Sequence, residues 1–182
     1  MKVMHLSDLH LGKNILEQSL ISDQEYILRE IISIIKDKNV DAVLIAGDVY
    51  DKGIPSVEAV KLFSYFLAKL YSMRVKVFVI AGNHDSKDRL SFGNELFIDN
   101  GVYIEGIFDG SLRSVTLNDE YGELNIYMLP FVKPLSKASV GARISGILGI
   151  FKSIGYAFAL AVTSVGENMK DGFLNMNNKG RE

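Results

Sequence analysis

Three short segments carry most of the side chains able to bind a cation or move a proton: Asp8-Leu9-His10, Gly47-Asp48 and Gly82-Asn83-His84-Asp85. The chain has only three histidines in 182 residues, and two of them, His10 and His84, lie in these segments. Carboxylate and amide oxygens combined with imidazole nitrogen suit Mn²⁺, Fe²⁺ or Zn²⁺. A carboxylate shared between two ions is the usual hinge of a binuclear site with metals roughly 3.5–4 Å apart. Asp48, from the middle segment, is the natural candidate for that role. Such a metal pair activates water and screens the charge of a phosphoryl group. His84 then reads as a positioned imidazole that donates a proton or hydrogen bond to the scissile phosphate or leaving oxygen. Asp85 is a candidate to orient His84 from behind. His5 lies inside an apolar run rather than at its end, so a supporting or structural role is expected for it. Taken singly, each of these residues is more simply a turn, cap or surface group. Their recurrence at the ends of three successive strands carries the functional reading.

The elements that must bring them together are legible as alternating apolar runs and helical periodicities. Residues 3–6 form a short apolar run that stops at Ser7-Asp8. A helix is predicted from about Ser22, where Ser22 and Glu25 match the S-x-x-E capping pattern. Leu28, Ile31, Ile32 and Ile35 recur at helical spacing on its buried face. Residues 42–46 are a second strand, ending at Gly47-Asp48. A second helix follows Pro55-Ser56, with Val60, Phe63, Phe66, Leu67 and Leu70 on its apolar side. Residues 75–81 form a third strand. A weaker helix is predicted over 88–98, stopping at Asn100-Gly101, and a fourth strand over 102–105. Strands separated by helices at this spacing imply β-α-β units and a largely parallel sheet. In such a sheet the carboxyl ends share one edge, the usual ligand edge of open α/β folds. The glycines before Asp48 and Asn83 let the backbone turn sharply there. Residues 113–117 and 124–129 both alternate and predict an antiparallel hairpin added to the sheet.

The bulk composition sets limits. At 48% hydrophobic residues the chain can bury one well-packed domain. A net charge of −2 argues against a self-sufficient nucleic-acid binder. It leaves room for a nuclease whose positive charge comes from metal ions or a partner subunit. Without cysteine there are no disulfides and no thiolate metal ligands. The N-terminal residues run straight into a strand-like segment and lack the features of a signal peptide, so a cytoplasmic setting is expected.

Read as whole motifs, D-L-H, G-D-V-Y-D and G-N-H-D, in this order and spacing, resemble the calcineurin-like metallophosphoesterases. The contexts "MKVMHLSDLHLG", "DAVLIAGDVYDKGIPS" and "VIAGNHDSKDRL" are similar to the opening of the SbcD-type double-strand-break nuclease subunits. The likeness runs over residues 1–134, ending in "LPFVKP". It implies an α/β calcineurin-like fold in layers of sheet and helix, here incomplete, with a mainly parallel sheet flanked by helices. It implies two divalent ions, Mn²⁺ by preference, with Asp8, His10 and Asp48 on one and Asp48 and Asn83 on the other. His84 takes the catalytic position. The implied activity is cleavage of DNA ends and hairpins with an SbcC-like coiled-coil ATPase as partner, and the likeness also allows a homodimer of the nuclease subunit. Other calcineurin-like phosphoesterases, acting on nucleotides or phosphoproteins, share the three metal motifs. A non-catalytic remnant that only docks a partner is a further alternative.

The sequence departs from that pattern in its second half. The family completes its metal shells with later G-H and G-H-x-H segments, and here no histidine follows His84. The first metal is left with three protein ligands and the second with two, so activity of this chain alone is expected to be weak or absent. Residues 135–182 do not resemble the family's continuation. The preferred expectation is a truncated or frameshifted product with a divergent tail, a marginal helix followed by a frayed end. Residues 144–165 approach bilayer-spanning length, for which roughly 20 apolar residues suffice. Lys152 near their centre costs about 2.5–3.5 kcal/mol on insertion, so a membrane segment is the less favoured reading.

Overall fold

The computed structural model describes residues 1–132 and the strand Phe158–Leu160. Its centre is a four-stranded parallel sheet in the order β1-β4-β5-β6. The strands are β1 (Val3–Leu6), β4 (Ala42–Ala46), β5 (Lys76–Ile80) and β6 (Val102–Glu105). A two-residue-stranded hairpin, β2 (Asn14–Ile15) with β3 (Gln18–Ser19), follows β1. Helix α1 (Ile21–Lys38) joins β3 to β4, and α2 (Val57–Ser72) joins β4 to β5.

Period-2 alternation divides the sheet into two cores. Val43, Ile45, Val77 and Val79 face the helices and pack with Leu28 and Ile35 of α1 and with Phe63, Phe66 and Leu70 of α2. Ala42, Ala46, Phe78 and Ile80 face the other way. There they meet a second sheet formed by β7 (Arg113–Asp119), β8 (Gly122–Met128) and β9 (Phe158–Leu160). The predicted hairpin is therefore present, as β7 paired antiparallel with β8. Ile126 and Met128 lay it across the sheet's open face as a separate layer. Alternating strands need one buried face, and β4 and β5, apolar on both sides, supply it. Among the described residues this gives three layers: helices, parallel sheet and second sheet.

Other boundaries also moved. Helix α1 begins at Ile21 with Leu20 as its cap, and it is the Ser19 Oγ that accepts the Ile21 N–H, at 3.3 Å. Ser22 and Glu25 lie inside the helix rather than forming a capping box. Glu25 instead bonds Arg29 at 2.6 Å, one turn on. The β2–β3 hairpin, missed in the sequence, delivers the chain into α1 through Leu20 N–H to the Lys13 carbonyl at 3.0 Å. The C-terminus of α1 is closed by Asn39 in the left-handed conformation. Helix α2 is capped by Ser56, whose Oγ accepts the Ala59 N–H at 3.2 Å. Val60 stands 44% exposed, and Ala59 and Leu62 take the buried positions beside Phe63. The predicted helix over 88–98 is two short ones, α3 (Lys87–Leu90) and α4 (Asn94–Ile98). Gly93 between them sits at φ +75° and cannot propagate a right-handed helix.

Most of residues 135–182 lies outside the described residues, and so does most of the segment weighed for membrane insertion. Within it, Phe158–Leu160 pair in parallel with β8. No helix among the described residues is long and apolar enough to cross a membrane.

Candidate metal centre

The parallel pairing of β1 with β4 does not stop where the strands end. Leu6 is opposite Ile45, and the two loops stay zipped beyond them. Asp8 N–H bonds the Gly47 carbonyl at 3.2 Å, His10 N–H the Asp48 carbonyl at 2.9 Å and Leu11 N–H the Val49 carbonyl at 2.9 Å. The Asp8 and Asp48 segments are thus locked side by side at the carboxyl edge. Asp8, His10 and Asp48 all sit at positive φ, +56°, +43° and +50°. Left-handed backbone at a non-glycine residue costs on the order of 1–3 kcal/mol and clusters at functional sites. Here the cost is met by the ladder of backbone bonds around it.

The result is convergence. One ligand atom from each of Asp8, His10 and Asp48 lies within 4.8 Å of the others. Asp48 is 3% exposed. Its Oδ1 accepts the backbone N–H of His84 at 3.0 Å, which ties the end of β5 to the same carboxylate. His10 Nε2 faces Asp8 Oδ1 at 3.9 Å, and its Nδ1 faces Asp51 Oδ1 at 3.6 Å. That Nδ1 is buried without a hydrogen-bond partner. Two carboxylates around an imidazole with an orphaned nitrogen form a donor set that fits a divalent cation.

His84 stands beside this cluster. Its ring meets the His10 ring edge-on, with centroids 4.8 Å apart at 89°. Its Nδ1 lies 3.0 Å from the Asp51 carbonyl oxygen. A carbonyl only accepts, so Nδ1 carries the proton and Nε2 is the nitrogen left for chemistry. Asp51 enters the site through its backbone as well as its side chain. Its backbone oxygen is the group that orients His84, a role no side-chain pattern announces.

Asp85 was expected to orient His84 and does something else. Its carboxylate turns inward and accepts three backbone N–H groups: Val49 at 3.1 Å, Tyr50 at 2.9 Å and Gly82 at 2.9 Å. It clasps the turn after β4 to the turn after β5. Burial pushes its carboxyl above the ordinary range, the three N–H groups pull it back, and the nearby Asp48 carboxylate adds to the rise. Gly82 is the other hidden requirement, since a Cβ there would stand 2.0 Å from Asp48 Oδ1.

The exposed Asn83 stands on the turn between Gly82 and His84, at the same sheet edge as the cluster. His5 is not brought to the site. It is exposed within β1, opposite Leu44 in the register and on the sheet face away from α1.

Residues 1–147 match the family described as calcineurin-like phosphoesterase. Among solved structures, a dimetal phosphatase from Danio rerio is similar at 15% identity with a TM-score of 0.42. The match covers 78% of this chain and 50% of that one, so the chain spans about half the length of that structure. With a family match over most of its length and an Asp/His/Asp cluster at the shared strand edge, the chain belongs to the calcineurin-like phosphoesterases.

Proposed function

We propose that the chain is the phosphoesterase portion of an SbcD-like nuclease subunit, hydrolysing phosphodiesters at DNA ends and hairpins. The observation that carries the phosphoesterase part is the convergence of Asp8, His10 and Asp48 within 4.8 Å beside the His84 imidazole. The contexts S-D-L-H-L-G and G-N-H-D-S-x-x-R-L support DNA as substrate by their resemblance to that nuclease type.

In this reading Asp8, His10 and Asp48 hold one divalent ion and Asp48 with Asn83 holds the second, with Mn²⁺ preferred. Bound metal supplies Lewis acidity and an activated water at neutral pH. The protein's own residues do the positioning. The buried Asp48 is held from both sides, by the loop after β1 and by the His84 N–H. His84, with Nδ1–H committed to the Asp51 carbonyl, presents Nε2 to take up or deliver a proton at the phosphate or leaving oxygen. These residues offer three protein donors to the first ion and two to the second, so turnover by this chain alone is slow. An SbcC-like coiled-coil ATPase is the partner that supplies DNA capture, consistent with a net charge of −2 that offers no basic footprint. A homodimer belongs to the same reading.

The test is manganese-dependent turnover of a DNA hairpin set against a small phosphodiester and a nucleotide, in the wild type and in His84→Ala. Slow hairpin cleavage that His84→Ala abolishes is expected. Turnover of nucleotides with none of DNA overturns the nuclease reading and favours a small-substrate phosphoesterase. No turnover of any substrate in the presence of the ATPase partner favours a docking remnant.

A further inference from the structure

The turn that carries His10 has a support that comes from outside the metal cluster. Gln24 lies in the first turn of α1, and its side chain spans three backbone groups of the loop after β1. Its Oε1 accepts the Gly12 N–H at 2.9 Å. Its Nε2 donates to the His10 carbonyl at 2.7 Å and to the Leu9 carbonyl at 3.2 Å. The amide orientation follows from the partners, because an N–H faces one end and two carbonyls face the other. A carboxylate has no donor for those carbonyls, and an ammonium or guanidinium has no acceptor for the N–H.

The clasped backbone is a strained one, with His10 at φ +43° and Gly12 at φ +85°. Apart from the edge-on His84 ring, the His10 ring is held by facing groups that are beyond hydrogen-bond distance. A ligating imidazole is usually fixed by a hydrogen bond on its second nitrogen. Here Nδ1 has no such bond, and the facing carboxylates of Asp51 and Asp8 stand 3.6 and 3.9 Å from the ring nitrogens. Where the ring itself is not anchored, its direction is inherited from the backbone that bears it.

We propose that Gln24 is a positioning residue for the metal centre: by clasping the backbone of Leu9, His10 and Gly12 it sets the direction of the His10 imidazole. The proposal rests on the reading of His10 as a metal ligand, but its first consequence concerns the metal-free protein. A merely structural role, as a brace for the start of α1, would lower thermal stability without singling out the His10 ring.

The experiment compares the full chain with Gln24→Met, which keeps the length without donor or acceptor, and Gln24→Glu, which keeps the shape and one acceptor. In metal-free protein the ring resonances of His10 are sharp in the wild type and broadened or split in both variants, while those of His5 are unchanged. Titration with Mn²⁺ alone, followed by electron paramagnetic resonance, shows affinity lower by about 10- to 100-fold in the variants. His10 resonances and Mn²⁺ affinity equal to wild type in both variants overturn the proposal. If the wild type takes no Mn²⁺ while the His10 ring still loosens in the variants, positioning stands and the metal reading falls. If neither variant folds, hydrogen exchange in the wild type decides. A Gly12 amide exchanging as fast as an unstructured loop overturns the clasp, and a protected one upholds it.

Discussion

Gly82 and Asp48 are in such close contact that a methyl group on the glycine would lie 2.0 Å from the Asp48 carboxylate and 2.3 Å from its backbone nitrogen. The requirement for glycine at the start of the G-N-H-D segment is therefore a requirement of the Asp48 carboxylate that follows the neighbouring strand. Gly82→Ala is expected to force the two turns apart, destabilising the fold by about 1–3 kcal/mol, as overpacking does. Because one contact is backbone, side-chain rotation cannot relieve it, and divalent-metal binding should be lost with it. Calorimetric unfolding and a metal titration on the same sample check both parts.

Asp85 joins the same two turns from beneath. Its two oxygens serve three buried N–H groups, and an amide has a single oxygen to offer. Asp85→Asn should therefore orphan at least one buried donor, at a cost of about 1–3 kcal/mol. The loss should appear in denaturant unfolding, together with weaker metal binding as the Asp48 turn loosens. Unchanged stability would mean the N–H groups find other acceptors.

Glu105, at the end of β6, gives a pH dependence from a carboxyl outside the Asp8, His10 and Asp48 cluster. Burial pushes its carboxyl above the ordinary range, while the Arg113 guanidinium, 3.3 Å away, draws it down. A carboxyl raised in the folded state holds its proton longer than the unfolded chain does. Stability therefore falls as pH rises from the unfolded value of about 4.3 through the raised one, then levels off. Side-chain NMR titration should show Glu105 above the ordinary glutamate range and higher still in Arg113→Ala. The Tm of Glu105→Gln should gain on wild type as pH climbs through that window.

Strands β4 and β6 were legible because their apolar runs have no helical alternative of that length. The chemistry was legible because a parallel sheet must bring its carboxyl ends to one edge, and Asp8, His10 and Asp48 do meet there. What stayed hidden depends on partners far along the chain. Asp85 bonds backbone groups of Val49 and Tyr50, and His84 is oriented by a carbonyl at residue 51. Neither leaves a side-chain signature. Alternation in residues 113–117 and 124–129 describes a one-sided strand but not what covers that side, so the hairpin was legible and the face it stacks on was not. Helical periodicity placed α2 well but missed by one residue at Val60, because Val60 and Ala59 differ little in their claim to an apolar face.

The claim beneath all of this is that Asp8, His10 and Asp48 hold a cation. Crystals soaked in a manganese salt and measured at the manganese absorption edge address it directly. An anomalous peak within bonding distance of all three side chains, abolished by Asp48→Asn, is the predicted result. Manganese absent from that crevice at saturating concentration, or bound elsewhere on the molecule, would contradict it.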